Sequence, residues 1–203
     1  GILSDLRQWD LPYEPLVSES VNLNTHLVTF SGDKVLGGPQ CGIIVGKKEL
    51  IKRVKQNHLM RVLRCDKLTL SLLEETLRLF LKPEKLTKRH EVVRMLTESL
   101  AIVRQRAERL QNLLQKLCGD WLSVKLCETQ SEAGSGTLPL EKIPSYAVAI
   151  KETGLSATLL AKRIRLAKTP IIGYVRDDLL FLDARTLQDE DVSVIAKIFE
   201  GVK

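Results

Sequence analysis

The sequence predicts an α/β fold in two parts joined by a long helix. Three observations support this prediction: two short apolar segments flank a glycine-rich loop near the start, helical patterns fill the middle, and short apolar segments alternate with turns towards the end. The 203 residues, of which 44% are hydrophobic, are enough for one large domain or two small ones.

The segments "HLVTF" and "CGIIVG" are predicted to be short buried strands. The loop between them, "SGDKVLGGPQ", carries a lysine, Lys34, beside an aspartate, Asp33. In α/β folds, loops at strand ends are where chemistry is usually placed. This loop is therefore the first candidate site.

Helical patterns follow from Lys47. "KKELIKRVKQ" is one predicted helix, and a second begins at a capping residue, Asp66, and ends before Lys82-Pro83. A third pattern places apolar residues alternately three and four positions apart, which predicts one long helix over residues 84–118. Its apolar positions are Val93, Leu96, Leu100, Val103, Ala107, Leu110, Leu114 and Leu117.

The last part of the chain predicts a small α/β unit with a mostly antiparallel sheet. Its predicted strands are "WLSVKLCE", "SYAVAI", "IIGYV" and "LLFLDA", with helices at "SATLLAKRIRLAK" and from Gln188 to Phe199. Between the first two strands we expect a loop, "TQSEAGSGTLPLEKIP". The expected divisions are residues 1–83, the helix 84–118, and residues 119–203.

Charge is unevenly distributed in a chain whose formal net charge is +6. The segment from Lys47 to Arg64 holds seven Lys or Arg against a single acid, Glu49. Such a segment suits a polyanion such as nucleic acid or phosphate, or it is the solvated face of a helix. The charge pattern leaves both interpretations open.

The sequence gives little support for a metal site, a disulfide or a membrane-spanning segment. The three histidines are scattered and the four cysteines form no CxxC pair, so no metal site is expected. Cys118 and Cys127 could meet across a turn, but we favour a role for them as small apolar side chains that fill space in the protein. No apolar run approaches the roughly 20 residues of a membrane span, and no secretion signal is evident. We therefore expect a soluble, cytoplasmic protein.

Lys34 is the most informative residue of the loop. "GIIVGKK" is one residue short of a phosphate-binding GxxxxGK motif, so the glycines alone indicate only a turn. A lysine after a buried strand can, when desolvated, attack an aldehyde and form a Schiff base, which is how proteins hold pyridoxal phosphate. Asp33 would orient the amine or carry protons, or it is an ordinary turn residue.

The segment "LVTFSGDKVLGGPQCGIIVGKKELI" resembles the lysine segment of bacterial selenocysteine synthase, L-seryl-tRNA(Sec) selenium transferase. "LMRVLRCDKLTLSLLEETLRLFL", "GSGTLPLEKIPSYAVAI" and "TPIIGYVRDDLLFLDARTL" resemble later segments of that family in the same order. The likeness thus covers nearly the whole chain. It implies a pyridoxal-phosphate (PLP) enzyme of fold type I, with the end of the large domain, a connecting helix and a small C-terminal α/β domain.

The resemblance also implies roles for individual residues. Lys34 would be the cofactor-binding and catalytic lysine and Asp33 its catalytic neighbour in the SGDK motif, while Arg61 and Arg64 would bind selenophosphate. The expected reaction converts seryl-tRNA(Sec) to selenocysteinyl-tRNA(Sec) through an aminoacrylyl intermediate on PLP. The family forms rings of dimers, so a homo-oligomer is expected.

The chain also departs from the family. "GILSDL" resembles the stretch just after the aspartate that pairs with the cofactor's ring nitrogen, so the chain is expected to be the C-terminal half of the subunit and inactive alone. Tyr174 stands where the family usually has arginine, which puts an anion-binding role there in doubt. Two alternatives remain: another fold-type-I PLP enzyme, such as a carbon–sulfur lyase or aminotransferase, or a non-catalytic tRNA-binding or assembly module.

Overall fold

The computed structural model describes residues 3–133 and 142–201, and these are mixed α/β in structure. They form two compact units, one of residues 3–97 and the other of residues 98–132 and 142–201. The α/β class predicted from the sequence is therefore confirmed at this level. None of the helices in the described residues combines the length and apolar composition needed to cross a bilayer.

The first unit contains a β-hairpin. Strand β1 (Leu27–Ser31) pairs with β2 (Gly42–Gly46) in antiparallel register, so that Leu27 lies opposite Gly46 and Ser31 opposite Gly42. Both segments are thus confirmed as strands, but the prediction that they are buried is wrong, because every residue of these two strands is partly or fully exposed. The loop that carries Lys34 is the connection between them, and its two ends are held together by the strand pairing.

Short helices make up most of the rest of the first unit. They are α1 (Val17–Asn22), α2 (Lys48–Gln56), α3 (Leu59–Leu63), α4 (Lys67–Phe80), α5 (Leu86–Arg89) and α6 (Glu91–Thr97). The predicted start of α4 is confirmed, because the Asp66 carboxylate accepts a hydrogen bond from the Thr69 N–H at 2.7 Å.

The single helix predicted over residues 84–118 is wrong. The structure has α5, α6 and then α7 (Leu100–Cys118), interrupted where His90 and Ser99 adopt extended backbone angles. The boundary between the two units falls after Thr97, so α7 belongs to the second unit. The domain limits predicted at residues 83 and 118 are not the limits of these compact units.

The second unit is built on a four-stranded antiparallel sheet in the order β3-β4-β6-β5. The strands are β3 (Leu122–Glu132), β4 (Lys142–Glu152), β5 (Tyr174–Arg176) and β6 (Leu179–Asp183), and the helices are α7, α8 (Ala157–Arg165) and α9 (Asp191–Gly201). The antiparallel sheet is as predicted. Both β3 and β4 are longer than expected, because residues predicted as loop pair at their ends; residues 134–141 of that loop lie outside the described part.

One face of this sheet forms the core of the second unit. Val124 of β3, Val148 of β4 and Leu180 of β6 point to the same side, which follows from the strand alternation. Buried residues of α7, α8 and α9 pack in the same cluster, including Leu110, Leu160 and Phe199, each fully buried. The apolar stripe predicted along α7 is therefore core-facing in its middle, whereas its end residues Leu100 and Leu117 are exposed.

A buried arginine connects three parts of the second unit. Arg106 of α7 is 3% exposed and donates hydrogen bonds to both carboxylate oxygens of Glu98, to Asp189 at 3.0 Å and to the Ala184 carbonyl at 3.1 Å. These hydrogen bonds, chiefly those to Glu98, raise the pKa of Arg106 against the opposing effect of burial. The buried charge is thus compensated on several sides.

Candidate functional site

The loop that carries Lys34 is closed by its own backbone. The Gly32 N–H donates to the Cys41 carbonyl at 2.9 Å, the Gly38 N–H to the Gly32 carbonyl at 2.7 Å, and the Gly37 N–H to the Lys34 carbonyl at 2.8 Å. These bonds form a tight turn directly after the lysine. These backbone hydrogen bonds therefore fix the position of Lys34 in the loop.

Two glycines make this closure sterically feasible. A Cβ atom on Gly32 would lie 2.5 Å from the Cys41 Sγ and 2.7 Å from the Pro39 carbonyl oxygen, closer than atoms can approach. Gly37 has a φ of +66°, in the left-handed region that glycine favours. The glycines predicted as turn formers thus have a structural reason.

The two loop residues that follow Lys34 are buried, whereas Lys34 itself is partly exposed. Val35 and Leu36 are 6% and 0% exposed, whereas the Lys34 side chain is 39% exposed. The two apolar residues anchor the chain next to Lys34 while its amine stays accessible. A ligand can therefore reach Lys34, but the lysine is not desolvated in the way that the sequence prediction required.

Asp33 and Lys34 form an ion pair within this loop. The Lys34 Nζ lies 2.8 Å from Asp33 Oδ2, and the hydrogen bond from Lys34 holds the pKa of Asp33 below its usual value. The other carboxylate oxygen, Oδ1, is buried and has no hydrogen-bond partner among the described residues. One oxygen thus orients the amine, and the second has capacity for a further donor.

Acid is expected to break the Asp33–Lys34 pair only below about pH 4, the ordinary range of aspartate. The pKa of Asp33 is lowered in the folded protein, so the stabilisation by this pair is complete above the unfolded value and is lost as the pH falls through the folded value. Carbon NMR of the Asp33 carboxyl should show this lowered midpoint. In Lys34→Ala the midpoint should return towards the ordinary value; an unchanged midpoint would contradict the assignment of its cause.

The two arginines expected to bind an oxyanion lie on a separate segment of the first unit. Arg61 is in α3, whereas Arg64 follows the last helical residue, Leu63, with an extended backbone at ψ 138°. Both side chains are exposed. The five-residue helix stops before Arg64, so the two arginines, three residues apart, do not both lie within the helix.

An open apolar hollow of about 540 Å³ lies along the same segment. The hairpin and α2 contribute to its lining, and Leu59, Met60 and Leu63 of α3 complete it. Leu59 and Leu63 are 63% and 71% exposed. The hairpin and α3 thus line one surface depression, but Lys34, Arg61 and Arg64 are not among its lining residues.

A buried histidine next to the lysine loop was not singled out by the sequence. The imidazole Nε2 of His90 lies 2.9 Å from the Leu36 carbonyl oxygen, and the residue is 3% exposed. The two positions are far apart in sequence, and no motif connects them. The sequence predicts one helix over residues 84–118, so no sequence signal sets His90 apart.

The remaining predicted features lie outside this loop. Tyr174 stacks on Phe181 in the second unit, with ring centroids 5.1 Å apart, and this packing is what its side chain does there. Cys41, Cys65 and Cys127 are free thiols, and the side chain of Cys118 lies outside the described part. Among the described residues, no group of three or more His, Cys, Asp or Glu is arranged to hold a metal ion.

The fold and this loop define a mixed α/β protein whose candidate reactive group is a lysine amine held by a carboxylate. Residues 1–188 match the family model of SelA, L-seryl-tRNA selenium transferase. The chain belongs to this family, a family of transferase enzymes.

Individual relatives agree with this assignment. The chain is 47% identical over 188 residues to an L-seryl-tRNA(Sec) selenium transferase of Mannheimia succiniciproducens, 42% over 202 residues to one of Alkaliphilus oremlandii, and 45% over 193 residues to one of Escherichia coli. These matches cover 92%, 100% and 94% of this chain but 40%, 43% and 42% of the relatives. The chain therefore spans about two fifths of the length of the curated relatives that it matches.

Proposed function

We propose that the full-length protein is a PLP-dependent selenium transferase of fold type I that converts seryl-tRNA(Sec) to selenocysteinyl-tRNA(Sec). The observation that carries the proposal is the accessible Lys34 amine, paired with Asp33 on a closed loop, in a chain of this family. Because the chain spans only about two fifths of its relatives, the activity is proposed for the full-length protein, and these 203 residues alone are expected to be inactive.

The residues of the loop fit an aldehyde cofactor held through Lys34. The Lys34 side chain is accessible, and the buried Asp33 Oδ1 can accept a further hydrogen bond. When bound, PLP supplies an electron-withdrawing ring that makes the α-proton of an attached amino acid acidic. The described residues thus supply the point of covalent attachment.

Individual steps are assigned to residues of this chain. The Asp33 carboxylate orients the Lys34 amine through their 2.8 Å contact. When the Lys34 amine is free, it accepts the proton that is removed from the α-carbon of the serine. Arg61 and Arg64 bind the anionic selenium donor, selenophosphate, because guanidinium groups make charge-assisted hydrogen bonds to tetrahedral oxyanions.

Covalent trapping tests this proposal in the full-length protein. Borohydride reduction in the presence of PLP should attach the cofactor to the peptide that contains Lys34, and mass spectrometry identifies the peptide. The same preparation should convert seryl-tRNA(Sec) to selenocysteinyl-tRNA(Sec) only when selenophosphate is added. Attachment at another lysine, or conversion without a selenium donor, would refute the assignment.

Replacing Arg61 and Arg64 together by glutamine is expected to raise the KM for selenophosphate by about 30-fold or more, since each charge-assisted hydrogen bond contributes about 1.5–3 kcal/mol. PLP attachment at Lys34 should be unchanged. The matched control replaces Lys52 and Lys55 of α2 by glutamine, which removes the same charge from the neighbouring helix. If the double arginine variant keeps a normal KM, another fold-type-I PLP reaction becomes the better proposal.

A second candidate function rests on the cluster of basic residues from Lys47 to Arg64. Those of α2 are exposed, and the helix has no buried residue, so the segment offers positive charge to a polyanion. A non-catalytic tRNA-binding or assembly module would bind seryl-tRNA(Sec) with a steep salt dependence and would not require Lys34. Unchanged function after substitution of Lys34 would favour this candidate.

We also propose that the full-length protein is a homo-oligomer, and only the resemblance to the family supports this proposal.

A further inference from the structure

His90 is a buried imidazole between α5 and α6 that contacts the lysine loop. It is 3% exposed, and its Nε2 lies 2.9 Å from the carbonyl oxygen of Leu36, two residues after Lys34. Leu36 is fully buried. The contact therefore joins the backbone of the loop to a distant part of the first unit in the absence of competing water.

The hydrogen bonds of the ring define its tautomer. The Val93 N–H donates to Nδ1 at 3.2 Å, so Nδ1 is the acceptor and Nε2 carries the proton. That proton is donated to the Leu36 carbonyl. Both ring nitrogens of the neutral imidazole are thus used, one to fix the ring on α6 and the other to hold the loop.

Steric contacts restrict the same ring from two sides. A Cβ atom on Gly37 would collide with Cε1 of His90, so the loop backbone lies directly against the imidazole. On another side Phe80, the last residue of α4, meets the ring edge-on with centroids 5.2 Å apart. The imidazole is therefore packed between α4 and the loop and has little freedom to move away.

We propose that His90 is a positioning residue for Lys34. Its donated hydrogen bond fixes the Leu36 carbonyl within the turn that the Gly37 N–H closes on the Lys34 carbonyl at 2.8 Å. The position of the lysine amine then depends on an imidazole 54 positions from Leu36 in sequence. The importance of this anchor for catalysis rests on the role proposed above for Lys34.

Two amide substitutions in the full-length protein separate the two ring hydrogen bonds. His90→Gln places an amide donor near the position of Nε2 and can still bond the Leu36 carbonyl. His90→Asn is shorter and can serve only the Val93 N–H. Phe80→Leu is the packing control, because it loosens the surroundings of the ring but leaves both hydrogen bonds.

The readouts are amide hydrogen exchange of the loop peptide and the rate of borohydride-trapped PLP attachment at Lys34. His90→Asn should accelerate exchange at Gly37 and Gly38 about tenfold or more and slow attachment by a similar factor, as expected for loss of one buried hydrogen bond. His90→Gln should stay within about threefold of the unsubstituted protein, since a donor to the carbonyl remains. Phe80→Leu should resemble His90→Gln at this loop.

Equal exchange in His90→Asn and Phe80→Leu would overturn the proposal, because it would mean that packing alone holds the loop. Failure of His90→Gln to restore slow exchange would also overturn it. If the unsubstituted protein attaches no PLP at Lys34, the function proposed for the lysine fails separately. Loop exchange would still decide whether His90 is the anchor.

Discussion

Replacing Lys34 by alanine is expected to abolish PLP attachment and to lower selenocysteinyl-tRNA(Sec) formation by about 10³-fold or more, as loss of a general acid–base group alone typically does. The free energy of unfolding should change little, because the Lys34–Asp33 pair is partly exposed. The measurements are single-turnover conversion of seryl-tRNA(Sec) and urea denaturation of the same full-length preparation.

Two further substitutions make this result specific. Lys34→Arg keeps a cation beside Asp33, but a guanidinium does not form a stable bond with an aldehyde, so this variant should be as inactive as Lys34→Ala. Lys88→Ala removes an exposed lysine of α5, outside the basic cluster from Lys47 to Arg64, and should have little effect. An active Lys34→Arg variant would exclude covalent attachment of the cofactor at this position.

Replacing Arg106 by methionine is expected to destabilise the second unit by about 3–5 kcal/mol, the usual cost of breaking a buried ion pair by removing one partner. The carboxylate of Glu98, which is 11% exposed, would lose the two hydrogen bonds that it receives from Arg106. Methionine fills a similar volume, so the loss of stability would come mainly from the missing charge and hydrogen bonds and not from a cavity. Urea denaturation of the full-length protein measures the effect.

The matched control is Arg104→Met on the same helix. Arg104 pairs with Glu108 at 2.8 Å, but both side chains are well exposed, at 57% and 42%. Exposed pairs contribute at most about 1 kcal/mol. Similar stability losses for the two variants would show that the burial of the Arg106 cluster has no special role.

Local sequence signals predicted the elements that local interactions form. Asp66 begins α4 because its carboxylate caps a backbone N–H three residues later, and this relation can be recognised in the sequence. The interruption of the predicted long helix could not be recognised in the same way. The apolar spacing that starts at Val93 continues through the break at Ser99, where only the extended backbone separates α6 from α7.

The same distinction applies to the candidate site. Lys34 and Asp33 are neighbours in the chain, so their pairing could be expected from the sequence, although that pattern alone also allowed an ordinary turn. The contact of His90 with Leu36 and that of Arg106 with Asp189 span 54 and 83 positions. Such contacts depend on how distant elements pack, which periodicity and motif spacing do not report.

The division into two units gives each a fluorescent reporter of its own. The chain has two tryptophans, and Trp9 lies in the unit that carries the lysine loop whereas Trp121 lies in the unit built on the four-stranded sheet. Within this chain, replacing one tryptophan by phenylalanine leaves an emission signal from a single unit. Denaturation followed in this way would show whether the lysine-bearing unit melts together with the sheet or separately from it.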